Sequence, residues 1–203
     1  MFYRTDQPHG LKHNPFKSLV VPRPIGWVST LSRRGTANLA PYSFFNAVAS
    51  APPIVVIGCN GLHAQGDDKD TLRNIQETGE FVVNIATWDL REAMNRTSAG
   101  VDHDVDEMAL AGLEPAASHL VKPARVAASP VGLECVHLQT VVQPADNPDE
   151  PNSTVFGRVV GIHIDDAIIT GGMIDMAKFK PIARLGYHDY AVVDHVFTMR
   201  RPR

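Results

Sequence analysis

Ser29, Thr30, Asn38, Ser43 and Asn46 fall within one stretch, Pro22 to Asn46, that otherwise reads as apolar strand. Hydroxyls and amides both donate and accept hydrogen bonds, so such a cluster can meet the edge of a flat, heteroatom-rich ligand lying against a sheet. Within it, the run Ala40-Pro41-Tyr42-Ser43-Phe44 can fix backbone groups along that edge while its aromatic residues support a ring. A second group follows a polar loop, Asn60 to Asp68: Lys69-Asp70-Thr71 stands where a helical stretch begins. The first N–H groups of a helix lack internal partners, and its dipole favours an anion there by about 0.3–1 kcal/mol. With a lysine and a hydroxyl added, this is an anion site. The competing reading is that Asp70 caps the helix and Lys69 is solvated. A ring platform joined to a phosphate anchor is what a flavin mononucleotide requires, and together the two segments read as a flavin site.

Those groups need a frame, and the frame is mostly strand. Ile25 to Leu31, Ile54 to Cys59, Phe81 to Ala86, Leu133 to Val142 and Val155 to Asp165 are short, rich in β-branched and aromatic residues, and bounded by Gly, Pro or Asp. The Asn38 to Asn46 segment pairs with the first of them across an Arg34-Gly35 turn. Helices are predicted over Thr71 to Thr78, with Leu72 and Ile75 spaced i, i+3 and Gly79 at its end, and over Leu90 to Ser98 behind an Asp89 N-cap. A third covers Asp106 to Ala111. Pro144 to Asn152, polar and proline-rich, reads as a hairpin loop between two long strands. The expected fold is mainly β with peripheral α, one barrel-like domain over residues 1–203.

Composition removes several classes of function. The 203 residues carry a net charge of −3, no run of like charges and no apolar stretch of bilayer length, so neither nucleic acid nor membrane is an expected partner. The N-terminus lacks the basic-then-apolar layout of a secretory signal, which predicts a cytoplasmic setting. Cys59 and Cys135 stand alone in apolar strands and read as buried, reduced thiols. His103, between Asp102 and Asp104, and the other eight histidines show no ligand spacing, so no metal is expected. His163, in a strand, and His188, after the Arg184-Leu-Gly-Tyr187 turn, are candidates to face a substrate or to be structural. Neither a Gly-x-Gly-x-x-Gly nor a Gly-x-Ser-x-Gly motif occurs, which argues against Rossmann and hydrolase chemistry.

Several runs, in order, resemble the flavin reductase-like proteins with an FMN-binding split β-barrel. They are Val21-Pro-Arg-Pro-Ile-Gly-Trp-Val-Ser-Thr30, Asn38-Leu-Ala-Pro-Tyr-Ser-Phe-Phe-Asn46, Ala51-Pro-Pro-Ile-Val55, Lys69-Asp-Thr-Leu-Arg-Asn-Ile75 and Thr78-Gly-Glu-Phe-Val-Val-Asn-Ile85. Asp106-Glu107, Ala111-Gly-Leu113, Leu133-Glu-Cys135, Phe156-Gly-Arg-Val-Val-Gly-Ile-His163 and Pro181-Ile-Ala-Arg-Leu-Gly-Tyr187 continue it, so the likeness covers about residues 19–193. It implies a homodimer with FMN, or FAD, near the subunit interface; Phe44, Phe45 and the apolar Val20-Val21 suit such an interface. By position, Ser29, Thr30, Asn38, Ala40, Ser43, Phe44, Lys69 and Thr71 become cofactor contacts, joined by Pro41, Tyr42 and Asp70 of the same runs. The implied activity is flavin-dependent electron transfer from NAD(P)H, a transient donor, or from another flavin. The acceptor is free flavin, a small oxidant or a partner monooxygenase. A carrier or sensor without turnover would share every contact. Since hydride transfer at flavin N5 needs positioning more than an acid or base, no catalytic side chain is assigned. The chain departs from the family at Gly58-Cys59-Asn60, where many members carry a serine pair, and at Pro151-Asn-Ser-Thr154, where nicotinamide-dependent reductases often have Gly-Asp-His.

Overall fold

A computed structural model describes residues 1–103 and 105–202. Seven strands form one antiparallel sheet: β1 (Gly26–Leu31), β2 (Ala37–Tyr42), β3 (Phe45–Ser50), β4 (Pro53–Asn60), β5 (Glu80–Ile85), β6 (Val131–Gln143) and β7 (Asn152–Ile164). Their order is β2-β1-β5-β6-β7-β4-β3. The two end strands, β2 and β3, are consecutive in the chain and separated only by Ser43 and Phe44, so the sheet curls until one bent segment joins its ends. The bend has a steric basis. The Gly58 N–H donates to the Phe44 carbonyl at 2.7 Å, and a Cβ on Gly58 would stand 2.9 Å from the Phe44 Cβ. On the opposite side, a Cβ on Gly26 would lie 2.8 Å from the Phe45 ring. These glycines let the two phenylalanines cross the wall at contact distance.

Strand β1 is buried on both faces, which is why its sequence shows no polar alternation. Val28 faces a barrel core with Ile57, Phe81, Val83 and Val155, while Trp27 faces a second core with Leu39, Met94, Met108 and Val126. Full burial of a large apolar side chain such as Phe81 contributes about 1.5–3 kcal/mol. The Asp70–Thr78 helix lays Leu72 and Ile75 on the barrel core and stops at Gly79, whose φ of 75° only glycine adopts readily. The long β6–β7 hairpin turns through 144–151, as the prolines predict.

Two details correct the sequence reading. Asp89 does not cap the second helix, which runs Arg91–Arg96 behind Leu90. The chain enters it from a turn already wound, with the Leu90 N–H on the Thr87 carbonyl, so no extended N-cap position exists there. Asp106, by contrast, is extended at ψ 103° and accepts from the N–H groups of Met108 and Ala109. The second correction is a small sheet absent from the expectation: Arg23–Pro24 pairs with Ile182–Arg184, which pairs with Tyr190–Val192 around the expected turn. Both cysteines are free and buried, and burial pushes the Cys59 thiol up to about 12. Among the described residues no helix is long and apolar enough to cross a membrane. Asp104, named beside His103, lies outside the described residues.

Candidate functional site

Strand β2 and the helix N-terminus meet. A cavity of about 280 Å³ is lined by Asn38, Ala40, Pro41 and Tyr42 from β2 and by Lys69, Asp70 and Thr71 from the start of the Asp70–Thr78 helix. Seven of the residues named from sequence are thus brought to one wall. Asn38 ties the two elements together, its Nδ2 donating to Thr71 Oγ1 at 2.9 Å and to Thr30 Oγ1 at 3.1 Å. Because the Thr71 oxygen accepts from Asn38, its own hydrogen remains to be donated elsewhere. Lys69 is not simply solvated: Nζ donates to the Asn60 carbonyl at 2.6 Å, which holds the ammonium at the cavity rim. Asp70 does not cap the helix either. It is the first helical residue, and its carboxylate bonds Arg73 and His103.

Ser29 and Thr30 lie behind this wall. Ser29 is 2% exposed with Oγ donating to the Ala124 carbonyl at 2.6 Å, and Thr30 is 1% exposed and accepts from both Asn38 and Asn74. They support the site and do not line it, a consequence of β1 being covered on both faces. Ser43 and Phe44 line a neighbouring cavity of about 520 Å³ beyond the bend. Ser43 also shares with Pro41 and His188 a third cavity of about 520 Å³. His188 therefore stands beside the Pro41–Ser43 segment.

His163 does not. It lies opposite Gly132, where its Nε2 bonds the fully buried Glu134 carboxylate. Glu134 also accepts from the N–H groups of His119 at 2.7 Å, Leu120 at 2.5 Å and Val121 at 3.2 Å. Burial would raise this carboxyl, but His163 and those N–H groups outweigh it and hold it at about 2. The half-buried imidazole is thus engaged by the fold's own carboxylate and lines none of the cavities just described.

Two features escaped the sequence reading. Glu107 reaches the cavity wall at 6% exposure, and its carboxyl is raised by burial despite accepting from the Leu39 N–H at 2.9 Å. His63, Asp67 and His103 come together with potential ligand atoms within 4.8 Å of one another. Burial would lower the His103 pKa, but Asp70 and Asp67 on its two nitrogens raise it. Only folding brings His63 beside His103, their rings stacked at 3.9 Å.

The comparisons agree with this architecture. Residues 18–184 match the model of the flavin reductase like domain. An uncharacterized protein of Aquifex aeolicus is 38% identical over 172 residues, 83% of each chain. Nitrilotriacetate monooxygenase component B from Bacillus cereus superposes with a TM-score of 0.85 at 30% identity, covering 98% of both chains. The 2-nitrobenzoate 2-nitroreductase NbaA of Pseudomonas fluorescens does so with a TM-score of 0.82 at 25% identity, covering 100% of this chain and 96% of its own. The curled sheet with its bent joining segment is the split barrel expected from sequence. On its fold, and on a family match that spans most of its length, the chain belongs to the flavin reductase-like family.

Proposed function

We propose that this protein is an FMN-binding oxidoreductase, taking electrons from a reduced nicotinamide or another donor and passing them to free flavin, a small oxidant or a partner monooxygenase. The observation that carries this reading is the single cavity where Asn38–Tyr42 meets Lys69–Thr71. Its donor set suits the cofactor. The Thr71 hydroxyl, the Lys69 ammonium and the unpartnered N–H groups of the first helical turn would hold a phosphate. Ser43 and Phe44, falling between the registers of β2 and β3, would present backbone and an aromatic face to the ring. When bound, a flavin supplies the site that accepts and releases hydride. The chain positions it: Asn38 fixes Thr71, Tyr42 and Cys59 pack beneath, and the buried Thr30 and Asn74 keep Asn38 in place. The Bacillus cereus neighbour is named as a monooxygenase component, which supports a monooxygenase among the acceptors.

A homodimer belongs to the same proposal. Leu19, Val20 and Val21 are exposed, and Val20 shares a cavity with Phe44 and Phe45, so a second copy would cover apolar surface beside the bend. Light scattering should then give twice the chain mass of 22.1 kDa. The enzymatic test is NADH consumption with added FMN or FAD. Steady turnover supports the proposal; a single bleaching of bound flavin would instead identify a carrier.

A further inference from the structure

On the far side of Pro41 and Ser43 stands a group of cations that the flavin reading does not use. Arg23 and Arg184 are directly opposite each other in their antiparallel pair. Like charges in that position repel, and among the described residues neither guanidinium is in an ion pair with a carboxylate. Arg23 is only 6% exposed; its Nη1 donates to the carbonyls of Lys17 and Val20, while its Nε is buried without a partner. Arg184 bonds the Tyr190 hydroxyl and the Tyr187 carbonyl, and its Cζ lies 4.4 Å from the Tyr190 ring centroid. Tyr187 presents that carbonyl from a left-handed backbone, φ 52°.

A buried guanidinium without a counter-charge is costly, and a second one across the strand pair raises the cost. Both line the cavity of about 520 Å³ that also reaches Pro41, Ser43 and His188. Lys17 adds a third cation to this wall, which carries no aspartate or glutamate. An anion entering the cavity is the simplest way to neutralise the group, and guanidinium suits carboxylate and phosphate alike.

We propose that this cavity takes the carboxylate or phosphate of the second substrate, the molecule that exchanges electrons with the flavin, with Arg23 and Arg184 as its counter-charge. The inference rests on the flavin reading. Two sources share this chemistry: the pyrophosphate of a nicotinamide dinucleotide and the carboxylate of an aromatic acceptor.

The test uses the FMN-loaded protein. NADH is compared with the neutral donor N-benzyl-1,4-dihydronicotinamide, and benzoate is titrated against the flavin absorption bands. Arg184→Gln should lower the kcat/KM preference for NADH over the neutral donor at least tenfold, or weaken benzoate binding at least tenfold, with FMN still retained. Arg184→Lys should recover part of the loss. The first result assigns the anion to the donor, the second to a carboxylate acceptor. Should the variants not fold, inorganic pyrophosphate or benzoate must compete with NADH on the wild-type protein and not with the neutral donor. The inference is overturned if FMN is retained but both readouts stay within twofold, if wild type shows no such competition, or if Arg184→Gln releases FMN instead. A wild-type protein that never holds FMN overturns the flavin reading itself and this inference with it.

Discussion

Glu107 and Glu134 are both buried carboxyls that accept from backbone N–H groups, yet their environments move them in opposite directions. Glu134 collects three N–H groups and an imidazole, and the ionised form is held down to about 2. Glu107 has the Leu39 N–H and sits on a cavity wall, so burial dominates and its pKa rises. The first end of the molecule is finished: each acceptor has its donors. The second is built around an opening, with donors at Lys69 and Thr71 and a carboxyl whose charge is incompletely compensated. Incomplete satisfaction at a cavity wall is what a ligand site looks like before its ligand arrives.

The largest expected effect lies at the finished end. Replacing Glu134 by Gln should destabilise the fold by about 3–5 kcal/mol, because it removes one partner of a buried pair and leaves N–H groups poorly met. Since the folded pKa is depressed from 4.5 to about 2, the Glu134 contribution is complete above the unfolded value and disappears as pH falls from 4.5 through 2. Denaturant unfolding of wild type and variant across that window checks both statements. A wild-type-like stability for Glu134→Gln at pH 7 would erase the contrast between the two ends.

Next in size is the anion anchor. Lys69→Ala combined with Thr71→Ala should weaken FMN binding by about 2–4 kcal/mol, read by fluorescence titration of the folded variant. Asn38→Ala should cost about 1–2 kcal/mol of FMN affinity, since Thr71 and Thr30 both lose the amide that orients them. If Asn38 only supported the turn, affinity and flavin spectrum would be unchanged.

How far the sequence foretold these regions depends on the reach of each signal. The Asp70–Thr78 helix was legible because Leu72, Ile75 and Gly79 act within a few residues of one another. Asn38 to Tyr42 and Lys69 to Thr71 were legible as separate chemical groups, and the structure joins them. The direction of Ser29 and Thr30 was not, since a strand buried on both faces carries no alternation to show which side meets a ligand. Nor was the Arg23–Arg184 pairing, which joins residues from opposite ends of the chain through a strand of two residues. Nor could the sequence decide between the two readings of His163, for the same reason: nothing adjacent in sequence reveals that Glu134, across the β6–β7 pair, claims its ring.

The smallest expected effect sharpens the comparison from the open end. A raised carboxyl pKa means that ionised Glu107 opposes folding, so its favourable contribution is present below the unfolded carboxylate pKa and is lost as pH rises through the folded one. Glu107→Gln should therefore stabilise the protein at pH 7 by up to about 1 kcal/mol, with the gain shrinking as pH falls through the carboxylate range. Paired melting curves at pH 7 and pH 4 read this directly, and a gain that grows on acidification would contradict it.

The most direct test of the central claim is the visible absorption spectrum of the purified protein before and after adding FMN and removing the excess. Two flavin bands that stay with the protein, and are lost in the Lys69→Ala, Thr71→Ala double variant, are the expected result. A colourless protein that retains no FMN would contradict the assignment of this cavity as a flavin site.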